Sequence, residues 1–253
     1  MADVLFSIRD ISKVFPNGNH ALSRINLAVF KGECLLIAGS NGSGKTLLMR
    51  MLTGLADPSD GEIRFQGLPL HKAINLLRRS VGLVFQDADA QIVGETLGED
   101  IAFGPKNLGL SKDAVETQVH AALAATGLEA KEDMSPRRLS GGEKRRLAVA
   151  GILAMGCDTV IMDEPFANLD WPGVIQVLGI IRQLKTQGKT LIILTHELEK
   201  VLAFADRLVI LHQGLIRDEG NPSAVLDRLD PSYGVRDPRK TYASVEDCTW
   251  LTR

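Results

Sequence analysis

One stretch constrains this chain more than any other: Cys34-Leu35-Leu36-Ile37-Ala38-Gly39-Ser40-Asn41-Gly42-Ser43-Gly44-Lys45-Thr46-Leu47-Leu48-Met49. Its apolar start reads as a buried strand. That run breaks at Gly39 into a turn of Gly, Ser and Asn, and the apolar pattern resumes at Leu47 with helical character. Strand, loop and helix in that order, with Gly-x-x-x-x-Gly-Lys-Thr in the loop, suit an anion cradle. Glycines let the backbone curl so that successive N–H groups converge, and the helix N-terminus adds the positive end of its dipole. Lys45 would set its ammonium on the β- and γ-phosphates of a nucleotide, and the Thr46 hydroxyl would ligate magnesium. At ordinary residue usage the pattern arises by chance in roughly one chain in a hundred of this length. The flanking strand and helix lower those odds. We therefore read Gly39, Ser40, Asn41, Gly42, Ser43, Gly44, Lys45 and Thr46 as a nucleotide site.

The remaining bulk properties narrow the setting. A chain of 253 residues can bury a substantial core in one or two domains. Lys and Arg number 29 against 31 Asp and Glu, a net charge of -2, which gives no global sign of a nucleic-acid binder. No stretch approaches the roughly 18 apolar residues of a membrane span, so a membrane role would come only through partners. The first residues lack the basic-then-apolar pattern of a signal peptide. Cys34, Cys157 and Cys248 are scattered without metal-ligand spacing; Cys34 reads as a core residue, and a reducing cytoplasm fits best.

Along the chain, residues 4 to 33 read as short antiparallel strands broken at Phe15-Pro16-Asn17-Gly18. The helix after the phosphate loop should stop at Gly54. A turn at 57–61 leads to a strand at 62–65, a helical pattern covers 72–80, and Val81–Phe85 reads as a buried strand. From about 95 to 152 strands vanish and helices take over, including Ser111 to Thr126 ended by Gly127. Buried strands return at 159–162 and 190–194 with a helix at 174–187 between them, and 208–219 reads as a hairpin. This alternation predicts an α/β fold with a mostly parallel sheet, an N-terminal antiparallel β subdomain and a helical insertion at about 87–152. We expect one domain over 1–229 and a polar tail over 230–253.

Four later features carry chemistry. Asp163-Glu164 follows a buried strand, which sets two carboxylates at the sheet edge where the crevice of such folds forms. Asp163 would hold Mg²⁺, and Glu164 would polarise the attacking water. Two acids opening a loop are otherwise common; beside Lys45 they read as functional. Leu139-Ser140-Gly141-Gly142-Glu143 reads as a capped helix start, and the paired glycines, which a cap does not require, allow backbone N–H groups close to an anion. Gln86 ends a strand where its amide can reach metal and water, although a solvated strand end would look the same. Thr195-His196 places an imidazole at another strand end on the same rim.

These residues, in this order, resemble an ATP-binding cassette (ABC) ATPase over roughly residues 4 to 225. Gly39–Thr46 is similar to the family's Walker A loop, Gln86 to its Q-loop, and Leu139–Glu143 to its signature motif. Met162-Asp163-Glu164 is similar to Walker B, Ala167-Asn168-Leu169-Asp170 to the D-loop, and His196 to the switch histidine. The resemblance implies the P-loop NTPase (RecA-like) fold and ATP and Mg²⁺ as cofactors. Phe15 stands at the place of an adenine-stacking aromatic that is often Tyr, and Glu143 replaces a commoner Gln. It further implies head-to-tail pairing, with each ATP between Lys45 of one subunit and Ser140-Gly141-Gly142 of the other. Asp170 would link the two sites, His196 would contact the γ-phosphate, and Thr46, Gln86 and Asp163 would hold the metal.

Within that family, Gln86-Asp87-Ala88-Asp89-Ala90-Gln91 followed by Asp100-Ile101-Ala102-Phe103-Gly104-Pro105 resembles the energy-coupling-factor type, with Ala88 where a Pro is common. That resemblance implies an ATPase coupled to import of cobalt, nickel or a vitamin such as biotin. Its partners would be a second ATPase subunit (a copy or a paralogue), a transmembrane coupling subunit and an integral substrate-binding subunit, at the cytoplasmic face of the cell membrane. Helices of the coupling subunit would enter a groove near residues 86–104, with Asp87, Asp89 and Glu99 facing their basic residues. The alternatives are a conventional ABC importer cassette and a soluble cassette of the iron–sulfur assembly type.

Overall fold

The computed structural model describes residues 3–240, so Cys248 and the end of the expected tail, 241–253, lie outside the described residues. In chain order the elements are β1 (Val4–Val14), β2 (His20–Phe30), β3 (Cys34–Ala38), α1 (Lys45–Leu52), β4 (Asp60–Phe65), β5 (Leu68–Pro69), α2 (Leu70–Ser80) and β6 (Val81–Val84). The helical stretch follows with α3 (Leu97–Asn107), α4 (Lys112–Thr126) and α5 (Gly141–Ala154). Then come β7 (Thr159–Asp163), α6 (Trp171–Thr186), β8 (Thr190–Thr195), α7 (Leu198–Val201), β9 (Arg207–His212), β10 (Leu215–Gly220) and α8 (Pro222–Asp227).

The strands form two sheets, one antiparallel in the order β2-β1-β4-β5 and one of six strands in the order β10-β9-β3-β8-β7-β6. In the second, β9, β3, β8, β7 and β6 pair in parallel, and only β10 runs antiparallel, beside β9. A parallel sheet needs crossovers that cover both its faces, so its strands are apolar throughout. Along β3, Cys34, Leu36 and Ala38 join the core beneath α5 and α6, whereas Leu35 and Ile37 join the core shared with the antiparallel sheet and α1. The same alternation splits β8 into Leu191 and Ile193 on one side, Ile192 and Leu194 on the other. Burial pushes the Cys34 thiol up to about 12, as suits an inert core residue.

A third core, with Leu97, Ile101, Val119, Leu123 and Leu147, lies inside the helical stretch where α3, α4 and α5 meet. There α4 starts on Ser111, whose hydroxyl accepts from the Ala114 N–H, and ends on Gly127 at φ 63°, as the sequence predicts. α5 belongs to both cores and ties the helices to the sheet. It lies so close to β6 that a Cβ at Gly82 would sit 2.2 Å from Ile152 Cγ2.

Two expectations need adjustment. α6 begins at Trp171, three residues before the predicted start at 174, because the Asp170 carboxylate accepts from the Gly173 N–H and Pro172 occupies the first turn, where a missing N–H costs nothing. In the tail expected from 230, where the sequence shows no clear periodicity, a single turn at Pro231–Tyr233 is opened by an Asp230 cap followed by Pro, as α8 before it is opened by Asn221 and Pro222. That segment returns to the phosphate loop. Val235 is buried, the Tyr233 carbonyl lies 3.2 Å from His212 Nδ1, and Gly234 packs on the Ser40 side chain.

Because the added methyl of Gly82→Ala has nowhere to go, that variant should lose about 1–3 kcal/mol of stability. Chemical denaturation would read the loss, and Ile152→Ala in the same chain should recover part of it.

Candidate functional site

The phosphate loop is shaped by close approach. A Cβ at Gly39 would lie 2.2 Å from the Leu211 carbonyl and 2.5 Å from Ser43 Oγ, so β3 can run into the loop beside β9 only with glycine there. The Ser43 N–H donates to the Ser40 carbonyl at 3.1 Å, and Gly44 caps α1 at φ 107°. Asn41 and Gly42 form the exposed crest. Lys45 is buried beneath it. Its ammonium donates to the carbonyls of Gly39 (2.7 Å) and Ser40 (3.3 Å) and lies 3.3 Å from Glu164 Oε1. An incoming phosphate would compete with that carboxylate for the same charge.

Beside it, at the end of β7, Asp163 is 1% exposed. Its Oδ2 accepts from Thr46 Oγ1 at 2.8 Å, and its buried Oδ1 has no hydrogen-bond partner. Burial raises the Asp163 pKa above the usual carboxylate value, and the Thr46 bond opposes the shift. A hydroxyl next to a carboxylate with a free oxygen is a donor set that fits Mg²⁺, which takes one or two protein oxygens and completes its shell with water and phosphate. Among the described residues no group of three or more His, Cys, Asp or Glu could hold a metal by itself.

Glu164 is buried and held at φ 46°, a strained conformation for a residue other than glycine, by the hydrogen bond of its N–H to the Leu194 carbonyl at 2.8 Å. Oε2 accepts from Thr195 Oγ1 at 3.0 Å and from the His196 N–H at 3.3 Å. Oε1 faces His196 Nδ1 at 3.0 Å, as well as the lysine. The ends of β3, β7 and β8 thus bring Lys45, Thr46, Asp163, Glu164 and His196 into one cluster.

The other expected residues are placed around that cluster. Gln86 is exposed just past β6, and its backbone carbonyl accepts from Arg145 Nη2 at 2.6 Å. Phe15 stands 40% exposed in the β1–β2 turn, while Ala21 and Leu22 of β2 back onto Gly44. Ser140, Gly141 and Gly142 make no hydrogen bond to residues 39–46 among the described residues. They lie instead beside Asn168, Leu169 and Gly173 of their own chain. Ser140 and Glu143 form a reciprocal capping box at the start of α5. The Asp170 carboxylate is likewise spent on capping α6. Sequence reasoning named Thr195 beside His196 without a role for its hydroxyl, which bonds Glu164, and passed over Arg145, whose signal is a charge at a buried position of a helix.

A parallel sheet whose strand ends gather a lysine-bearing phosphate loop, two carboxylates and a histidine defines a nucleotide-hydrolysing ATPase. Residues 22–167, more than half the chain, match the family model for the ABC transporter, and the chain belongs to that family as an ATPase coupled to transport. It is 40% identical over 225 residues to the energy-coupling factor transporter ATP-binding protein EcfA of Methanocaldococcus jannaschii, covering 88% of this chain and 81% of that one. A putative ABC transporter ATP-binding protein of Halobacterium salinarum is 43% identical over 218 residues, 86% of this chain and 94% of its own length. Among solved structures, CbiO1 of Clostridium perfringens, described as part of the ABC transporter complex CbiONQ, superposes with a TM-score of 0.81. Its identity is 35%, with 89% of this chain and 91% of that chain covered. The P-loop fold expected from the sequence is borne out by this neighbour.

The charge on Glu143 offers a second test. The Lys131 ammonium, ahead of the Ser140 backbone N–H, holds its carboxyl down to about 2 from 4.5. A depressed carboxyl stabilises the fold above pH 4.5, and that contribution disappears as pH falls from 4.5 toward 2. Its partner is a third exposed to solvent, so Glu143→Gln should cost only about 1 kcal/mol at neutral pH. Unfolding midpoints compared along a pH series should show wild type and variant converging below pH 4.

Proposed function

We propose that this chain is the ATP-hydrolysing subunit of an energy-coupling-factor importer for a transition-metal ion or a vitamin. The observation that carries the hydrolytic part is the Lys45–Glu164–His196 contact beside Thr46–Asp163. In this reading the N–H groups of 39–44 cradle the ATP phosphates, Lys45 neutralises the β- and γ-phosphates, and Phe15 stacks on adenine. Thr46, Asp163 and Gln86 hold Mg²⁺, which when bound draws charge from the phosphate oxygens. Glu164, oriented by Thr195, takes a proton from the attacking water, and His196 contacts the γ-phosphate.

Two subunits, identical or paralogous, would pair head to tail, so that Ser140-Gly141-Gly142 of one closes on ATP bound by the other and Asp170 links the two sites. The separation of Ser140–Gly142 from the phosphate loop within one chain supports this arrangement. The importer type is supported by the likeness to the jannaschii protein and to CbiO1. Among the described residues no helix is long and apolar enough to cross a membrane, so attachment to its cytoplasmic face would run through a transmembrane coupling subunit and an integral substrate-binding subunit. A cleft of about 540 Å³ lined by Arg78, Arg79, Phe103, Asn107 and Met155 offers the coupling subunit a place to dock. Of the acids expected to face that subunit, Asp89 pairs with Lys144 at 2.6 Å, Asp87 accepts from the Asp89 N–H, and Glu99 accepts from the Glu95 N–H.

Glu164→Gln should retain ATP binding while hydrolysis falls by at least about a hundredfold, leaving a stable ATP-bound dimer visible by gel filtration. Undiminished turnover would mean that Glu164 is not the base. A mild-detergent pull-down from native membranes should bring a coupling subunit and a small integral protein. A periplasmic binding protein among the partners would point to a conventional importer, and recovery of soluble proteins alone to an iron–sulfur-type cassette.

A further inference from the structure

Arg145 is a buried cation that the hydrolytic site does not itself use. It sits in the second turn of α5 with 3% of its surface exposed, in a protein whose other arginines are mostly solvated. Its guanidinium donates to two successive backbone carbonyls just past β6, those of Phe85 and Gln86. Burial disfavours its charge, and Asp87 and Asp163 offset part of that cost electrostatically. Its Nε has no partner. A cation kept there at such expense is holding something in place.

What it holds is the segment 85–91, which no sheet pairing fixes. That segment has three side-chain tethers. Gln91 bridges back to β6, donating to the Leu83 carbonyl at 2.8 Å and accepting from the Phe85 N–H at 3.2 Å. Lys144 pairs with Asp89, and Arg145 clasps the two carbonyls. Two of the three come from adjacent residues of α5, one residue beyond Ser140-Gly141-Gly142. The next residue, Arg146, turns the other way and donates to the Thr126 and Gly127 carbonyls at the end of α4. The basic run 144–146 therefore fastens the helical stretch to the segment carrying Gln86.

We infer that Arg145 is a positioning residue, which fixes the backbone at Gln86 and makes the placement of the Gln86 amide follow the orientation of α5. This rests on the role proposed above for Gln86 at the nucleotide. Movement of the helical stretch, whether from closure of Ser140–Gly142 on a partner's ATP or from a helix docked beside α3, then reaches the hydrolytic cluster through two hydrogen bonds. The same contacts run in reverse, so nucleotide bound at Gln86 biases the helices.

The test is a double-mutant cycle on the purified full-length chain, measuring kcat and KM for ATP. Arg145→Gln should lower kcat by about tenfold or more with KM within about twofold, because misplacing a group by about 1 Å affects the reaction more than binding. In a Gln86→Ala background the same substitution should cost nothing further, and Arg145→Lys should recover part of the loss. Additive losses would show that Arg145 acts by another route and overturn the inference. Wild-type kcat in Arg145→Gln beside an impaired Gln86→Ala would overturn it while leaving the proposed role of Gln86 intact. A fully active Gln86→Ala would overturn both. Should Arg145→Gln fold poorly, amide hydrogen exchange of Arg145→Lys reads the contact directly: exchange across 85–91 should quicken while β7 and β8 stay protected. Unchanged exchange there would sink the idea.

Discussion

A single buried ammonium, that of Lys45, sets the conditions the rest of the site must meet. With both side chains only 6% exposed, Lys45 and Glu164 have lost most of their hydration, and neither charge is tolerable without the other and the loop carbonyls. Removing one partner of such a pair typically costs about 3–5 kcal/mol, since the survivor is stranded. Beside that pairing, Glu164 is held in a strained backbone conformation, and Thr195 and the His196 N–H both point at its second oxygen. It also means that the carboxylate proposed as the base is engaged by the ammonium proposed to receive phosphate. In that proposal, nucleotide binding would free Glu164 as it satisfies Lys45.

That arrangement depends on the parallel sheet. β3, β7 and β8 run the same way side by side, so their ends deliver a loop, two acids and a histidine to one edge without long excursions. Register finishes the alignment: Ala38 pairs with Thr195, and Asp163 with Leu194, and Thr46 and Asp163, 117 positions apart, come within hydrogen-bond range. The orphaned Asp163 oxygen and the strain at Glu164 are stability given up at the place where chemistry is carried. Three separate apolar cores supply what it costs.

The helical stretch answers a different demand. It hangs on α5, whose inner face packs on β6 and α6 while its outer face closes the third core. Its first turn presents the serine and two glycines, and its second turn grips the segment after β6. One helix thus touches the sheet edge, the helical core and the surface beside Asn168–Asp170. A change in its tilt is felt at all three.

Much of this was legible in the residues. The apolar runs at 34–38, 159–162 and 190–194 read as buried strands, and a glycine-rich break before Lys45-Thr46 has few physical uses besides holding phosphate. Caps at Ser111, Gly127 and Ser140 stood where local chemistry requires them, because capping is decided within four residues. What the linear pattern did not carry were effects that arise only when distant segments meet. The three-residue error at the start of α6 came from reading apolar periodicity and overlooking Asp170 as a cap. Arg145 looked like one more charge in a basic run until α5 was laid against β6 and its guanidinium met two carbonyls sixty residues away. The clasp of Lys45 by Glu164, the engagement of Asp89 by Lys144 and the return of Gly234 to Ser40 are of the same kind. Residue type and spacing determine which chemistry a loop, cap or strand can offer, since those are local properties of the backbone. Only the register of the sheet and the packing of α5 decide which charges become neighbours, because desolvation and Coulomb attraction act through space.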